Sequence, residues 1–171
     1  MSDEKLKLKV AWLYPDILQS FCDKANIDAF YRRATAREID VEIKQVKADE
    51  KIHSTKYDFY YIGGTNVQDI EVCRAKIKEN AVALQAAADM KIPMLAVCCG
   101  YLLFSNSIKK TNGIVKDCLR ILDCDATMGY ERLYTNVVGK CQFLKKNSIV
   151  GFINSTIDMQ LNRALLFLTL T

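Results

Sequence analysis

The sequence predicts an α/β domain of three layers, in which helices cover both faces of a mostly parallel β-sheet. Short, almost entirely apolar segments recur along the first hundred residues, and amphipathic segments separate them. Half of the 171 residues are hydrophobic and 26% are charged, which is enough apolar material for a buried core. We expect residues 1–171 to form a single domain that is incomplete at its C-terminus.

The first elements follow from local patterns. A strand is predicted over Leu6–Tyr14, where apolar residues alternate until Pro15 ends the strand. A helix is expected to begin near Asn26, a good N-cap, because the apolar residues after it recur at helical spacing. Further strands are predicted over Val41–Val46, Tyr57–Ile62 and Met94–Val97, and one long helix from Asp69 to about Met90.

The pattern changes after Gly100. A short buried helix is predicted over Tyr101–Phe104, and the segments after it are predicted to be strands. The last ten residues are apolar and end abruptly, so we expect a truncated domain that exposes apolar surface and self-associates. The three later strands are predicted over Ile121–Thr127, Arg132–Val138 and Ile149–Ile153.

Composition excludes several function classes. The net charge of +4 is too small to indicate a nucleic-acid partner, and no apolar stretch is long enough for a membrane span. Seven irregularly spaced cysteines argue against a disulfide framework and favour the reducing cytoplasm. Because His53 is the single histidine and no C-x-x-C pair occurs, we predict no metal site.

The segment with the most chemical information runs from Pro93 to Tyr101, where a buried strand ends at Cys98 and a helix begins. Such a junction exposes the side chain at the turn, and the amides of the helix N-terminus favour its thiolate, so Cys98 is a candidate nucleophile. The backbone N–H groups of Cys99 and of Gly64, which follows the preceding strand, are candidate donors to an oxyanion. The alternative is that Cys98 and Cys99 are simply small buried residues.

These motifs resemble the class I, triad-type glutamine amidotransferases. The likeness is greatest for the branch that contains cobyric acid synthase and the glutaminase subunit of lipid II isoglutaminyl synthase. Ile62–Gly64 and Cys98–Tyr101 match the Ile-Gly-Gly and Cys-Gly-Gly-Tyr motifs of that branch, with Cys99 in place of a glycine. Asp23–Ala34 matches its Asp-x-x-Asn-Ile-x-Ala segment, and Val150–Asn154 resembles its Gly-Phe-Glu-Asn segment.

The resemblance implies a flavodoxin-like fold and the hydrolysis of glutamine. Cys98 would attack the side-chain amide, the amides of Gly64 and Cys99 would hold the oxyanion, and Arg132 would bind the α-carboxylate of glutamine. Ammonia would pass to an ATP-dependent synthetase subunit or domain, either Mur-ligase-like or cobyrinate-type. No Walker A motif is present, so no cofactor is expected on this chain, and ATP is expected only on the partner. A surface arginine is the alternative interpretation of Arg132.

The chain departs from the family pattern at the general base. The family places its catalytic histidine in a downstream His-Gly-Pro-like segment that the 171 residues do not contain. His53 precedes the third strand, so we expect it about 20 Å from Cys98, too far for direct proton transfer. The chain alone is therefore expected to be inactive. Two alternatives remain: a non-catalytic amidotransferase-like binding subunit that lacks the catalytic histidine, and a DJ-1-like cysteine-elbow protein.

Overall fold

A parallel four-stranded sheet forms the first of two units into which the chain divides, Met1–Phe104 and Ser105–Thr171. The computed structural model describes residues 5–18, 23–66, 69–141, 148–162 and 168–170. The strand order is β2-β1-β3-β4, which is the order of flavodoxin-like sheets. This order and the helices between the strands confirm the predicted α/β class. The strands are β1 (Lys7–Leu13), β2 (Asp40–Val46), β3 (Phe59–Ile62) and β4 (Met94–Ala96).

Both faces of this sheet are buried around its two central strands, β1 and β3. On one face, Ile27 of helix α1 packs against Val10, Trp12 and Tyr61, and the ring of Phe30 stacks on Phe59 with their centroids 5.1 Å apart. On the opposite face, the residues at most 1% exposed are Ala11 and Leu13 of β1 and Tyr60 and Ile62 of β3. The helices of this unit are α1 (Asp23–Thr35), α2 (Ile70–Lys78), α3 (Ala81–Asp89) and a 3₁₀ helix (Cys98–Phe104). No helix in the described part of the chain is long and apolar enough to cross a membrane.

The single long helix predicted up to Met90 is wrong, because α2 and α3 are separate helices. The break lies at Asn80, whose side chain is buried. Its Oδ1 accepts a hydrogen bond from the Ile52 amide, and its Nδ2 donates to the Tyr14 hydroxyl at 2.9 Å and to the Glu50 carbonyl. These bonds to residues distant in sequence satisfy the buried Asn80 side chain. The spacing of apolar residues, from which the single helix is predicted, contains no information about them.

The second unit is a sheet of mostly antiparallel strands. Its order is β6-β5-β7-β8, and β9 pairs with β7. Among the strands that the structure describes, only β5 and β7 run parallel. The separate strands predicted over Ile121–Thr127 and Arg132–Val138 are one long strand, with an irregular register between Met128 and Leu133 at the predicted gap. The strands are β5 (Ser107–Lys109), β6 (Val115–Asp117), β7 (Cys124–Cys141), β8 (Ser148–Leu161) and β9 (Leu168–Leu170).

The strand predicted over Ile149–Ile153 exists but continues to Leu161, so its length is a correction. The apolar end of the chain lies only partly within the described residues. Its backbone is described at residue 162 and over β9. The prediction that its side chains are exposed therefore falls outside the part of the chain that the structure describes.

Candidate functional site

Cys98 lies at the sharp turn after β4, as the first residue of the 3₁₀ helix. Its φ is +52°, a left-handed conformation that is uncommon for a residue other than glycine. Before the turn, the Val97 amide donates to the Ile62 carbonyl at 3.0 Å, and after it the Gly100 amide donates to the Val97 carbonyl at 2.9 Å. The Cys98 side chain is exposed. A strained, exposed residue between a strand and a helix is the geometry of a nucleophile elbow.

The loop that follows β3 touches this turn backbone to backbone. A Cβ atom added at Gly64 would lie 2.5 Å from the Cys98 Cβ and 3.1 Å from its Sγ. A Cβ added at Gly100 would collide with the Gly63 carbonyl oxygen. Glycine is needed at both positions, because any side chain would push the two loops apart. The structure therefore brings Gly64, Cys98 and the adjoining Cys99 together, as the parallel topology predicts.

The first residue of α1, Asp23, holds the loop that contains Gly64. Its carboxylate is 2% exposed, Oδ2 accepts from the Gly64 amide at 2.7 Å, and Oδ1 accepts from the Tyr61 hydroxyl at 3.1 Å. The side-chain Nδ2 of Asn26 in turn donates to the Tyr61 hydroxyl at 3.0 Å. Burial raises the pKa of the Asp23 carboxyl above its ordinary value, although both hydrogen bonds act in the opposite direction. The Gly64 amide, a predicted oxyanion donor, is thus bonded to Asp23 here.

Cys99 follows Cys98 as the second residue of the 3₁₀ helix, and its side chain is buried. Burial raises the pKa of the Cys99 thiol, and the neighbouring Cys98 side chain raises it further. The other described cysteines of this unit and the next are also buried. Burial raises the pKa of Cys73 to about 11 and also raises that of Cys124. Cys98 is the exposed thiol among the five that the structure describes.

Arg132 lies on β7, in the second unit, at the irregularity of the strand register. Its side chain is exposed, and Nη1 donates to the Asn154 Oδ1 at 2.7 Å. Because Arg132 and Cys98 belong to different units, the expectation that they share one site stays a prediction. His53 is exposed in the segment before β3, and its carbonyl oxygen accepts a hydrogen bond from the Tyr60 hydroxyl at 3.0 Å.

A cavity of about 420 Å³ adjoins Asp23 at the carboxyl ends of β1 and β2. This is a volume in the range of small-molecule sites. The Trp12 indole Nε1, at one wall, is buried without a hydrogen-bond partner among the described residues. No group of three or more metal-ligating side chains occurs in the described ranges. The cavity is lined by Trp12, Pro15, Asp16, Asp23, Lys24, Gln45 and Lys47.

Sequence reasoning missed two residues beside the elbow. Asp23 matches the first position of the family-like segment, but the helix was expected to begin only at Asn26. The signal that could have found Asp23 is a carboxylate at a helix start opposite a Gly-Gly loop, whose free amides attract anions. Thr65 is 1% exposed, and its hydroxyl has no partner among the described residues. No local signal marks it.

Comparisons with known proteins agree with these motifs. The family described as the CobB/CobQ-like glutamine amidotransferase domain matches residues 9–155. The lipid II isoglutaminyl synthase (glutamine-hydrolyzing) subunit GatD of Staphylococcus aureus strain N315 is 26% identical over 148 residues, which are 86% of this chain and 60% of that protein. The chain thus spans less than two thirds of that relative. A solved Listeria monocytogenes EGD-e protein, provisionally assigned as a peptidase E, has a TM-score of 0.45 and 14% identity, covering 71% of this chain and 66% of its own.

Proposed function

Because the chain belongs to the family of CobB/CobQ-like glutamine amidotransferase domains, we propose that it is a glutaminase domain whose nucleophile is Cys98. The observation that carries this proposal is the exposed Cys98 thiol at a turn with φ +52°, directly beside Gly64. The name of the Staphylococcus aureus relative, a glutamine-hydrolysing subunit, supports the same chemistry.

In the proposed reaction, the Cys98 thiolate attacks the side-chain amide carbon of glutamine. The negative charge that develops on the amide oxygen is held by the backbone N–H groups of Cys99 and Gly64. The C–N bond then breaks, the nitrogen takes up a proton and leaves as ammonia, and a thioester remains on Cys98. Water hydrolyses the thioester to glutamate and regenerates the thiol.

The Asp23 carboxylate competes with this oxyanion for the Gly64 amide. The amide donates to Asp23 Oδ2 at 2.7 Å, so it can bind the oxyanion only after this hydrogen bond is broken or shared. The competition is between two anions for one donor, and a charge-assisted bond is worth about 1.5–3 kcal/mol. We therefore infer that substrate binding shifts the Gly63–Gly64 loop relative to Asp23.

Arg132 is the proposed ligand of the glutamine α-carboxylate, because a guanidinium binds a carboxylate with two parallel hydrogen bonds. Its bond to Asn154 uses one of the five N–H donors of the guanidinium and so does not preclude this role. The ammonia would serve an ATP-dependent synthetase of the cobyrinate or Mur-ligase type, and ATP would bind only to that partner. The five cysteines whose side chains the structure describes are all free, which favours a reducing compartment such as the cytoplasm.

A second candidate is a non-catalytic amidotransferase-like subunit. One observation favours it. The 171 residues contain one histidine, His53, which lies before β3, whereas the elbow lies after β4. In this alternative the scaffold would bind a synthetase partner without hydrolysing glutamine. Labelling by a glutamine analogue separates the two candidates from a protein without a glutamine site.

The test uses a chloroketone analogue of glutamine, whose electrophilic carbon loses chloride to a nearby thiolate. We expect the analogue to modify the tryptic peptide of residues 92–109, which contains Cys98, and excess glutamine to slow the modification. Iodoacetamide needs no glutamine site, so glutamine should not protect against it. Peptide mass spectrometry measures both reactions.

Cys98→Ala is the matched control and should abolish labelling of this peptide by the analogue. Arg132→Lys should weaken protection by glutamine, because a single ammonium cannot replace the paired hydrogen bonds. Labelling of Cys98 that is unaffected by glutamine would contradict the proposed function. Labelling with protection but without ammonia release is compatible with both candidates, whereas ammonia release above the Cys98→Ala control would exclude the non-catalytic subunit.

A further inference from the structure

Two adjacent cysteines with different surroundings occupy the elbow. The Cys98 side chain is exposed, and the Cys99 side chain is buried. The two residues are consecutive in the chain, and the Cys98 side chain adds to the effect of burial in raising the pKa of the Cys99 thiol, so the two side chains interact. Glycines lie on both sides of this pair, so neither neighbour contributes a side chain. A Cβ at position 64 would collide with the Cys98 side chain, and one at position 100 would collide with the Gly63 carbonyl oxygen.

Access separates Cys98 from the other cysteines whose side chains the structure describes. Cys73, Cys118 and Cys124 are all buried, and a buried thiol is slow to react with a water-soluble oxidant. Oxidation by peroxide should therefore begin at Cys98. The next available thiol is that of Cys99, one peptide bond away.

We propose that Cys98 and Cys99 form a dithiol site that peroxide, a two-electron oxidant, converts into an intramolecular disulfide. The Cys98 thiolate attacks one peroxide oxygen, the O–O bond breaks, and hydroxide leaves, which gives a sulfenic acid. The Cys99 sulfur then attacks the Cys98 sulfur, the S–O bond breaks, and water leaves with the Cys99 proton. The dithiol loses two electrons and two protons, and one peroxide becomes two water molecules.

The disulfide between these neighbours is strained and therefore reversible. Their Cα atoms are about 3.8 Å apart across a trans peptide bond, whereas disulfides usually join Cα atoms about 4.4–6.8 Å apart. A strained disulfide is reduced more readily than a relaxed one. The pair therefore protects Cys98, because a labile disulfide forms in place of the irreversible sulfinic acid.

The test follows a single peptide. Residues 92–109 form one tryptic peptide that holds Cys98 and Cys99 and no other cysteine. The folded chain is treated with limiting hydrogen peroxide, quenched with an alkylating agent and digested without reductant. We expect this peptide to lose two hydrogens, to escape alkylation, and to take up two alkyl groups when dithiothreitol precedes the quench. Fragment ions distinguish these products from oxidation of Met94.

Two variants of the resolving thiol make the proposal falsifiable. In Cys99→Ala and in Cys99→Ser, Cys98 should accumulate as sulfenic acid trapped by dimedone and as sulfinic acid, the latter increased about tenfold over the native chain. Cys118→Ala, a buried cysteine of the second unit, is the control and should behave as the native chain. Equal sulfinic acid in the native chain and both variants, or no internal disulfide in the native peptide, would overturn the proposal.

The inference does not depend on glutamine hydrolysis. If Cys98 is the nucleophile of the proposed function, the disulfide also blocks that reaction. The experiment reads the oxidation state of one peptide and needs no substrate. It therefore stands or fails separately from the chloroketone labelling.

Discussion

At the scale of single residues, the site depends on one exposed thiol and one buried carboxylate. Cys98 adopts φ +52° while its side chain stays exposed, so the turn that strains the backbone also presents the sulfur. Asp23 is buried and accepts hydrogen bonds from the Gly64 amide and the Tyr61 hydroxyl. The carboxylate thereby fixes the loop against which Cys98 is placed.

We expect Cys98 to be alkylated before the buried cysteines Cys73 and Cys118. The reason is access, together with the burial that raises the pKa of Cys73 to about 11 and so lowers its thiolate fraction. The measurement is brief treatment with a limiting alkylating agent and peptide mass spectrometry, with Cys98→Ala as the control. Early loss of the Cys73 thiol would mean that the elbow does not expose Cys98.

The stability of the first unit should depend on the charge of Asp23. Burial raises the Asp23 pKa above 3.8 in the folded chain, so the folded state holds its proton at pH values where the unfolded state has lost it. Stability from this group is therefore full below pH 3.8 and falls as the pH rises through the folded pKa. Urea unfolding at several pH values gives the free energy of unfolding of the native chain and of Asp23→Asn. We expect the native value minus the variant value to decrease over this pH range.

Tyr61→Phe provides the matched variant. It removes one hydrogen bond that lowers the Asp23 pKa, so the decrease in stability should extend to higher pH than in the native chain. Parallel pH profiles for the native chain and Asp23→Asn would show that Asp23 has no raised pKa.

At the scale of elements, two connections at the carboxyl ends of β3 and β4 create the elbow. The loop after β3 contributes Gly64, and the turn after β4 contributes Cys98, and the two meet without side chains between them. The parallel pairing of Tyr60 with Met94 and of Ile62 with Ala96 sets this register. The candidate site therefore follows from the alignment of β3 with β4.

Gly64→Ala should destabilise the first unit and change the reactivity of Cys98. The added methyl group would lie 2.5 Å from the Cys98 Cβ, and such overpacking typically costs about 1–3 kcal/mol. Gly151→Ala in β8 is the control, because its Cβ would lie 3.8 Å from the nearest atom, an ordinary contact. Denaturant unfolding and the alkylation rate of Cys98 measure the two effects, and equal behaviour of the two variants would contradict the close approach.

At the scale of the whole molecule, the family match over residues 9–155 includes parts of both units. The first unit carries the elbow, and the second carries Arg132 on a long ribbon of β7 and β8. Apolar side chains on one face of that ribbon are exposed. Val150 is opposite Val138 and Phe152 is opposite Asn136, and Val150 and Phe152 are 77% and 69% exposed.

We expect the isolated chain to self-associate through this apolar ribbon face, since neighbouring exposed apolar residues favour association. Sedimentation across a wide concentration range measures it, and the double variant Val150→Thr, Phe152→Thr should reduce it. Val82→Thr is the control, because Val82 is 86% exposed but lies on helix α3. A monomer at all concentrations would contradict this expectation.

The 171-residue chain alone should release no more ammonia from glutamine than Cys98→Ala does. Ammonia must leave with a proton, and general acid–base catalysis is typically worth about a hundred- to ten-thousand-fold. The single histidine of the 171 residues, His53, lies before β3, whereas Cys98 lies after β4, so His53 is not placed to supply this proton. Release clearly above the Cys98→Ala control would mean that another side chain serves as the acid and base.

The sequence by itself determined the parallel sheet and the position of the elbow. The apolar patterns of β1, β3 and β4 are local. Gly64 and Cys98 each lie two residues beyond a strand end, so their close approach depends on the parallel pairing of β3 with β4. Tertiary structure alone decided the burial of Asp23, the helix break at Asn80 and the continuity of β7. Asp23 and Asn80 are buried because partners distant in sequence satisfy their hydrogen bonds. The continuity of β7 depends on its pairing with β8. A local sequence pattern contains no information about such distant partners.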